Sequence, residues 1–98
     1  MEKILNDCIL ACENCVVKCC SGDKQMNDCI RMCHTQELLC KVLKVAIKNK
    51  VGQATIKPLK EATLQNAKKS HEICSKHKDK YCVKCSKQLE ILIEGLSK

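Results

Sequence analysis

Cys8, Cys12, Cys15 and Cys19 recur at i, i+4, i+7 and i+11, and Cys29, Cys33 and Cys40 repeat the i, i+4, i+11 part of that template. At about 100° per residue, each set falls in a narrow arc on one helix face. Two such helices point rows of thiols into a shared interior. Cys20, Cys74, Cys82 and Cys85 complete the eleven cysteines of the chain. Thiolates packed in rows are ligands for soft metal: Cu(I), Zn(II) or iron–sulfur clusters.

Other uses of these thiols fit less well. Side chains at i and i+4 run parallel on a helix, with Cβ atoms about 5–6 Å apart, beyond the roughly 3.5–4.5 Å that a disulfide wants. An odd count also leaves one thiol over. A lone Cys behaves as a small core hydrophobe, but a periodic row of them makes a small, oxidisable, weakly packed core. A zinc site stops at four convergent ligands. His71 and Cys74 with Cys82 and Cys85 offer one such set, and Cys12 and Cys15 with Cys29 and Cys33 another. An iron–sulfur cube likewise takes four cysteines. A long row instead suits several Cu(I) ions, each held by two or three thiolates. Each monovalent ion also offsets one thiolate charge, so little net charge is buried. Zinc or an iron–sulfur cluster, in a bundle serving interaction or electron transfer, is the alternative. A dithiol redox role for Cys12 with Cys15, or Cys82 with Cys85, ranks last because the strand–helix context of such sites is absent.

The chain is 98 residues long, with no Phe, no Trp and a single Tyr, Tyr81. A domain this small buries little apolar surface, and here the aromatic share of a core is missing too. Metal, disulfides or oligomerisation must help hold it. Lys and Arg number 18 against 11 Asp and Glu, a formal net charge of +7. Arg31 is the only Arg, and stacking aromatics are lacking, which argues against nucleic acid as partner. Lys18, Lys76, Lys78, Lys80, Lys84 and Lys87 flank cysteines and favour thiolate over thiol. Residues 1–10 include Glu2 and Asp7 and no long apolar run, so neither a signal peptide nor a membrane span is expected. A cytoplasmic setting follows as an expectation; thiols stay reduced there, and dense cysteine signals metal. No nucleophile–base pair, carboxylate pair or phosphate loop stands out, so no enzyme is expected.

The elements that must position these thiols are helices, since strand patterning is absent. Turn signals at Ser21-Gly22-Asp23, at 49–52 and at 75–80 divide residues 1–98, read as one domain, into helices near 2–20, 25–49, 57–74 and 79–96. Pro58 is placed in the first turn of the third. Short connections make neighbours antiparallel, so the expected fold is all-α: an up-down-up-down four-helix bundle with a Cys-lined core. The inward stripes are Ile4 or Leu5 leading into the thiols of helix 1; Cys29, Cys33, Gln36, Cys40, Leu43 and Ile47; Ile56, Leu59, Thr63, Ala67, Ser70 and Cys74; and Cys82, Cys85, Leu89, Leu92 or Ile93, and Leu96. The turns at 21–24 and 75–80 then share one end. The thiol zone spans roughly 15–18 Å from it. Ile4, Leu5, Leu43, Ile47, Leu59, Leu92 and Leu96 plug the other end.

The runs CILACENCVVKCC (Cys8–Cys20), CIRMCHTQELLC (Cys29–Cys40) and CSKHKDKYCVKC (Cys74–Cys85) resemble the copper storage proteins, over about residues 4–96. The resemblance implies a Cys-lined bundle holding many Cu(I) ions, with all eleven cysteines as candidate ligands, and a tetramer. Departures are instructive. Gln36, Leu89, Leu92 and Leu96, with Thr63, Ala67 and Ser70, stand where the family spacing puts thiols. That implies a reduced store, or a smaller cluster used for sensing or transfer. Metal entry is expected at the thiol-rich end, with His77, His71, His34 and Met26 as candidates beside Cys20. His77 lies in a Lys-His-Lys stretch that looks like the family's His-bearing turn.

Overall fold

The computed structural model describes residues 1–19 and 26–98, and the backbone alone of Cys19, Met26 and Asn27. The turn expected at 21–24 lies outside the described residues. Four helices account for nearly all the rest: α1 (Glu2–Asn14), continued by a π-helical turn (Cys15–Cys19), α2 (Met26–Lys48), α3 (Gln53–Cys74) and α4 (Lys80–Leu96). No strand occurs among the described residues. Each helix packs on the next and α1 also packs on α4, while the backbones of the diagonal pairs stay apart. Across the diagonal, α2 and α4 meet through side chains, Cys33 with Cys85 and Cys29 with Cys82. This is the antiparallel four-helix bundle expected from the short connections. Its length, 41 Å, is set by α2, whose 23 residues rise about 35 Å at 1.5 Å each.

Two local departures from expectation have physical causes. Helix 1 is not one α-helix over 2–20. After Asn14 the ladder slips into a π turn from Cys15 to Cys19. Val16 and Val17 put two β-branched side chains side by side, which crowd the preceding turn of an α-helix. Val17 is exposed, so nothing packs against it to hold the tighter geometry. The third helix starts at Gln53, four residues before the expected 57. Gly52 makes this start with φ 99°, a conformation open to glycine, and its carbonyl accepts from the amides of Thr55 (3.2 Å) and Ile56 (3.0 Å). Pro58 therefore falls inside the helix. Its missing N–H leaves the carbonyl of Ala54 to water on an exposed face, where the loss is tolerated.

The link from α2 to α3 is a Schellman turn. The amide of Val51 donates to the Ala46 carbonyl (3.3 Å) and that of Lys50 to the Ile47 carbonyl (3.2 Å). Lys50 takes the left-handed position at φ 52°. At the other end, the Asp79 carboxylate accepts from the Tyr81 amide (2.8 Å) and caps α4. These two links fix the rotation of α3 and α4, and so decide which residues face inward.

The core is divided lengthwise. Cys8, Cys12, Cys15, Cys29, Cys33, Cys40, Cys74, Cys82 and Cys85 are fully buried in one half. Leu5, Leu43, Leu89 and Leu92 are fully buried in the other, with Ile56 almost so. Leu5 and Leu92, rather than Ile4 and Ile93, take the inward places; Ile4, Ile47, Leu59, Ile93 and Leu96 pack half-buried around them.

Between the halves lies a polar belt. The Gln36 amide donates to the Thr63 carbonyl (3.4 Å) and toward Cys40 Sγ (3.5 Å). Asn66 donates to Gln36 Oε1 (2.7 Å), and Ser70 Oγ to the Met32 carbonyl (3.2 Å). Thr63 Oγ1 turns back on the Leu59 carbonyl (2.6 Å). Among the described residues no buried side-chain N or O atom lacks a partner, so the belt carries no desolvation penalty.

Leu92 lies in the hydrocarbon half and touches no part of the thiol zone's chemistry. Leu92→Ala is expected to destabilise the metal-free protein by about 2–5 kcal/mol, measured by denaturant unfolding, while leaving metal capacity unchanged. Loss of all metal binding in this variant would contradict the division of the core.

Candidate metal centre

The geometry of the thiols follows from the stripes. Cys8, Cys12 and Cys15 are contributed by α1 and its π turn, Cys29, Cys33 and Cys40 by α2, Cys74 by the last residue of α3, and Cys82 and Cys85 by the first turns of α4. All nine are buried, and none of them forms a disulfide.

Their sulfurs form one connected file. Cys8 lies 3.9 Å from Cys12, Cys12 3.7 Å from Cys85, and Cys85 3.6 Å from Cys33. Cys33 lies 3.4 Å from Cys74 and 3.9 Å from Cys29, which are 3.3 Å from each other. Cys29 reaches Cys15 (3.5 Å) and Cys82 (3.9 Å), and Cys15 reaches Cys82 (3.7 Å). Cys40 closes the inner end, beside Cys8 and under the Gln36 amide.

Two groups within the file are tight enough to hold an ion: Cys15, Cys29, Cys33 and Cys74, and Cys12, Cys33 and Cys85, the sulfurs of each lying within 4.8 Å of one another. With a metal–thiolate bond of about 2.3 Å, sulfurs lie about 3.8 Å apart around a tetrahedral ion and about 4.0 Å apart around a trigonal one. The spacings found here, 3.3 Å at the shortest and 4.8 Å at most, bracket that demand. Cys33 belongs to both groups, so two ions held there share a bridging thiolate.

Proximity splits the thiols into two kinds. Cys8 is held down at about 5 by hydrogen bonds from Cys12 and Cys40. Cys15 falls to about 3 through hydrogen bonds from Cys29 and Cys33, and Cys74 to about 5 through that from Cys15. Cys29 is also lowered: its bond to Cys15 acts upward, but those from Cys33 and Cys74 outweigh it. The donors move the other way. Cys12 is raised by its bonds to Cys33 and Cys8, Cys40 by its bond to Cys8, and Cys85 by its bonds to Cys12 and Cys15. At Cys33 the bond with Cys12 acts downward, yet bonds to Cys15, Cys29 and Cys74 with burial raise it overall. The metal-free chamber is thus a mesh in which donor thiols favour ionisation of the sulfurs beside them.

The expected zinc sets are not what the fold assembles. Cys12 and Cys15 fall in different groups because the i and i+3 positions look toward different neighbours. His71 turns outward, Nε2 lying 3.0 Å from Glu90 Oε1 on α4, so it does not join Cys74, Cys82 and Cys85. Among the candidates for entry, His77 is half-buried in the turn after α3, its amide donating to the Cys74 carbonyl (3.1 Å). His34 is exposed and lies 3.8 Å from Glu37. Cys20 and the side chains of Cys19 and Met26 lie outside the described residues. The sequence reading missed the belt partner Asn66; its i+3, i−4 relation to Thr63 and Ser70 on one face of α3 was the available signal.

Fold and site together define a four-helix bundle whose core is a metal-binding thiol chamber. The chain belongs to the copper storage protein family: the family pattern described as Copper storage protein matches residues 1–91. Comparison with curated proteins and comparison with solved structures each find no match.

The split thiols give the metal-free fold a distinctive pH dependence. Cys8, Cys15 and Cys74 are depressed to about 5, 3 and 5 from an ordinary value of 9.0. Between these limits the unfolded chain binds more protons than the folded one, so stability rises with pH up to 9.0. Cys12, Cys33, Cys40 and Cys85 are raised; above 9.0 the unfolded chain loses protons that the folded one keeps, and stability falls. Thermal unfolding of reduced, metal-free protein is expected to show its highest midpoint near pH 9, declining on both sides. A midpoint independent of pH from 5 to 9 would contradict the thiolate mesh.

Proposed function

We propose that this protein is a cytoplasmic Cu(I) store that binds several ions as buried thiolate clusters in one half of its bundle, drawing on all eleven cysteines. The observation that carries this reading is the unbroken file of eight buried thiols at 3.3–3.9 Å, with Cys40 beside Cys8 at its inner end. A single-ion site needs no such file. Cu(I) prefers sulfur and accepts two or three ligands, so it uses every step of the file. Family membership supports the same cargo. No catalytic step is required. The bound ions are cargo, and keeping free copper low is the task. By the family's habit the unit is a homo-oligomer, a tetramer.

Thiols that favour ionisation of their neighbours serve this task directly. Four of the sulfurs are held in the nucleophilic, metal-ready form. The partner thiols lose their protons as ions bind, so uptake releases protons and tightens with pH. Burial keeps the loaded thiolates from water and oxidant. The leucine half keeps the bundle folded when the store is empty.

Zinc remains a second reading on one observation: Cys15, Cys29, Cys33 and Cys74 form a four-sulfur group of tetrahedral dimensions. Zinc would stop there, whereas Cu(I) would continue into Cys12, Cys85, Cys8 and Cys40.

Titration of the reduced, anaerobic protein with Cu(I) against a competing chelator is expected to saturate at several ions per chain. Saturation at one ion or none would overturn storage. One or two zinc ions with no further Cu(I) uptake would establish the zinc reading. Because Cys33 serves both groups, Cys33→Ser is expected to lower capacity more than Cys40→Ser, with helix content by circular dichroism unchanged in both.

A further inference from the structure

Charge is spread unevenly over the surface. Lys68 and Lys69 on α3, Lys76 and Lys78 in the turn that follows, and Lys84 and Lys87 on α4 are all exposed over the thiol half. Among the described residues none of these six makes an ion pair. Of the acids nearby, Asp28 pairs with Arg31, Glu90 lies against His71 and Asp79 caps α4, while Glu72 on α3 stands exposed between Lys68 and Lys76. Lys18 and Lys80 sit over the ring of Tyr81, at 5.6 and 5.1 Å from its centre.

This placement works against the local preferences of the helix. The first turn of α4 holds no acid. Lys80 and Lys84 are like charges at i, i+4, next to the positive pole of the helix dipole, and both arrangements are unfavourable. The Tyr81 ring and the Asp79 carboxylate offset this at Lys80, whereas Lys84 has no such counterpart among the described residues, and a local preference set aside there points to function.

A groove between α1 and α4 lies among these lysines, with a volume of about 430 Å³, within the range of small-molecule sites. Leu10 and Ala11 form its apolar floor, Tyr81 one wall, and Lys84, Lys87 and Gln88 its basic and polar rim. Asp7 also lines it, in an exposed ion pair with Lys3 at 2.9 Å. The same stretches of α1 and α4 carry Cys12 and Cys85 on their inner faces, next in sequence to Ala11 and Lys84.

We propose that this groove receives a small, carboxylate-bearing thiol complex of Cu(I), and that the lysines around it speed the arrival of that anion. The proposal rests on the Cu(I) reading above. Lys84 and Lys87 meet carboxylates, while the floor and Tyr81 meet the carrier's apolar part. The bounded groove suits a small molecule better than the broad face of an acidic protein. Transfer is ligand exchange without redox change. Each Cu–S bond to the carrier is replaced by one to a protein sulfur, and the proton of a protein thiol leaves on the released carrier sulfur. The lysines act on encounter, where a like-signed cleft concentrates the opposite charge and raises association rates.

Stopped-flow transfer from preformed Cu(I)–glutathione, compared with Cu(I)–2-mercaptoethanol as an uncharged carrier, tests this on the full chain. The double variant Lys84→Gln, Lys87→Gln is compared with a control at the far end, Lys48→Gln, Lys57→Gln. Gln keeps helix propensity close to that of Lys. With glutathione, the wild-type rate at low salt is expected to exceed that of the groove variant by ~10-fold, the lower end of electrostatic steering, and to fall toward it at high salt. The far-end variant should match wild type, the uncharged carrier should show no such difference, and equilibrium capacity should be equal in all three proteins. Equal loss in the far-end variant, or equal rates with both carriers, would overturn the proposal while leaving storage intact. A groove variant that loses capacity rather than rate would also overturn it, by assigning the lysines to ion affinity. Absence of capacity in the wild type would instead defeat the storage reading itself.

Discussion

The constraint that governs this bundle is the short reach of cysteine. A thiol extends only one atom beyond Cβ, so sulfurs from four helices meet at 3.3–3.9 Å only if the backbones come close and face one another squarely. Closeness to the axis requires small partners in between, and Ala67, Ser70 and Ser86 supply them. Square facing requires fixed helix rotation, which the Schellman turn at Lys50 and the Asp79 cap provide. The sulfurs stop short of the ~2.05 Å of a disulfide, so each stays available as a ligand. The same nearness creates the mesh of thiolates and thiols. Packing, electrostatics and metal readiness are therefore one property of the molecule.

A core made of such side chains is weakly cohesive. Sulfur contacts supply less apolar burial than leucine does, and the chain has no Phe or Trp to compensate. The leucine half answers this need at the other end. Leu5, Leu43, Leu89 and Leu92 come one or more from each of three helices, and α3 adds Ile56. The polar belt joins the two regimes. Gln36 faces a thiol on one side and the α3 backbone on the other, and Asn66 fixes its orientation.

Much of this was legible in the sequence because period is legible. The spacing of Cys8, Cys12 and Cys15, and of Cys29, Cys33 and Cys40, states which face looks inward. So does the run from Ile56 through Thr63, Ala67 and Ser70 to Cys74. Axial stagger and helix rotation leave no such trace. Hence the pairing of thiols across helices, the double membership of Cys33 and the outward turn of His71 emerged only in three dimensions. The π turn escaped because Val16-Val17 is an ordinary pair until no neighbour packs on Val17. The start of α3 escaped because Pro58 suits a first turn, whereas Gly52 takes a positive φ and opens the helix at Gln53.

The belt at Gln36 has a consequence for how such a molecule changes over generations. It is a movable partition on a regular lattice: each helical turn along the stripes holds either sulfur or hydrocarbon, and the fold accepts both. Cysteine at Thr63 carries sulfur one turn further along α3, and cysteine at Gln36 fills the gap between Cys33 and Cys40 on α2; leucine in place of Cys8 or Cys40 moves the partition back. Heat tolerance and load then vary in opposite directions by small heritable steps, with the architecture unchanged. A lineage exposed to more or less metal can retune its reserve without inventing a new protein.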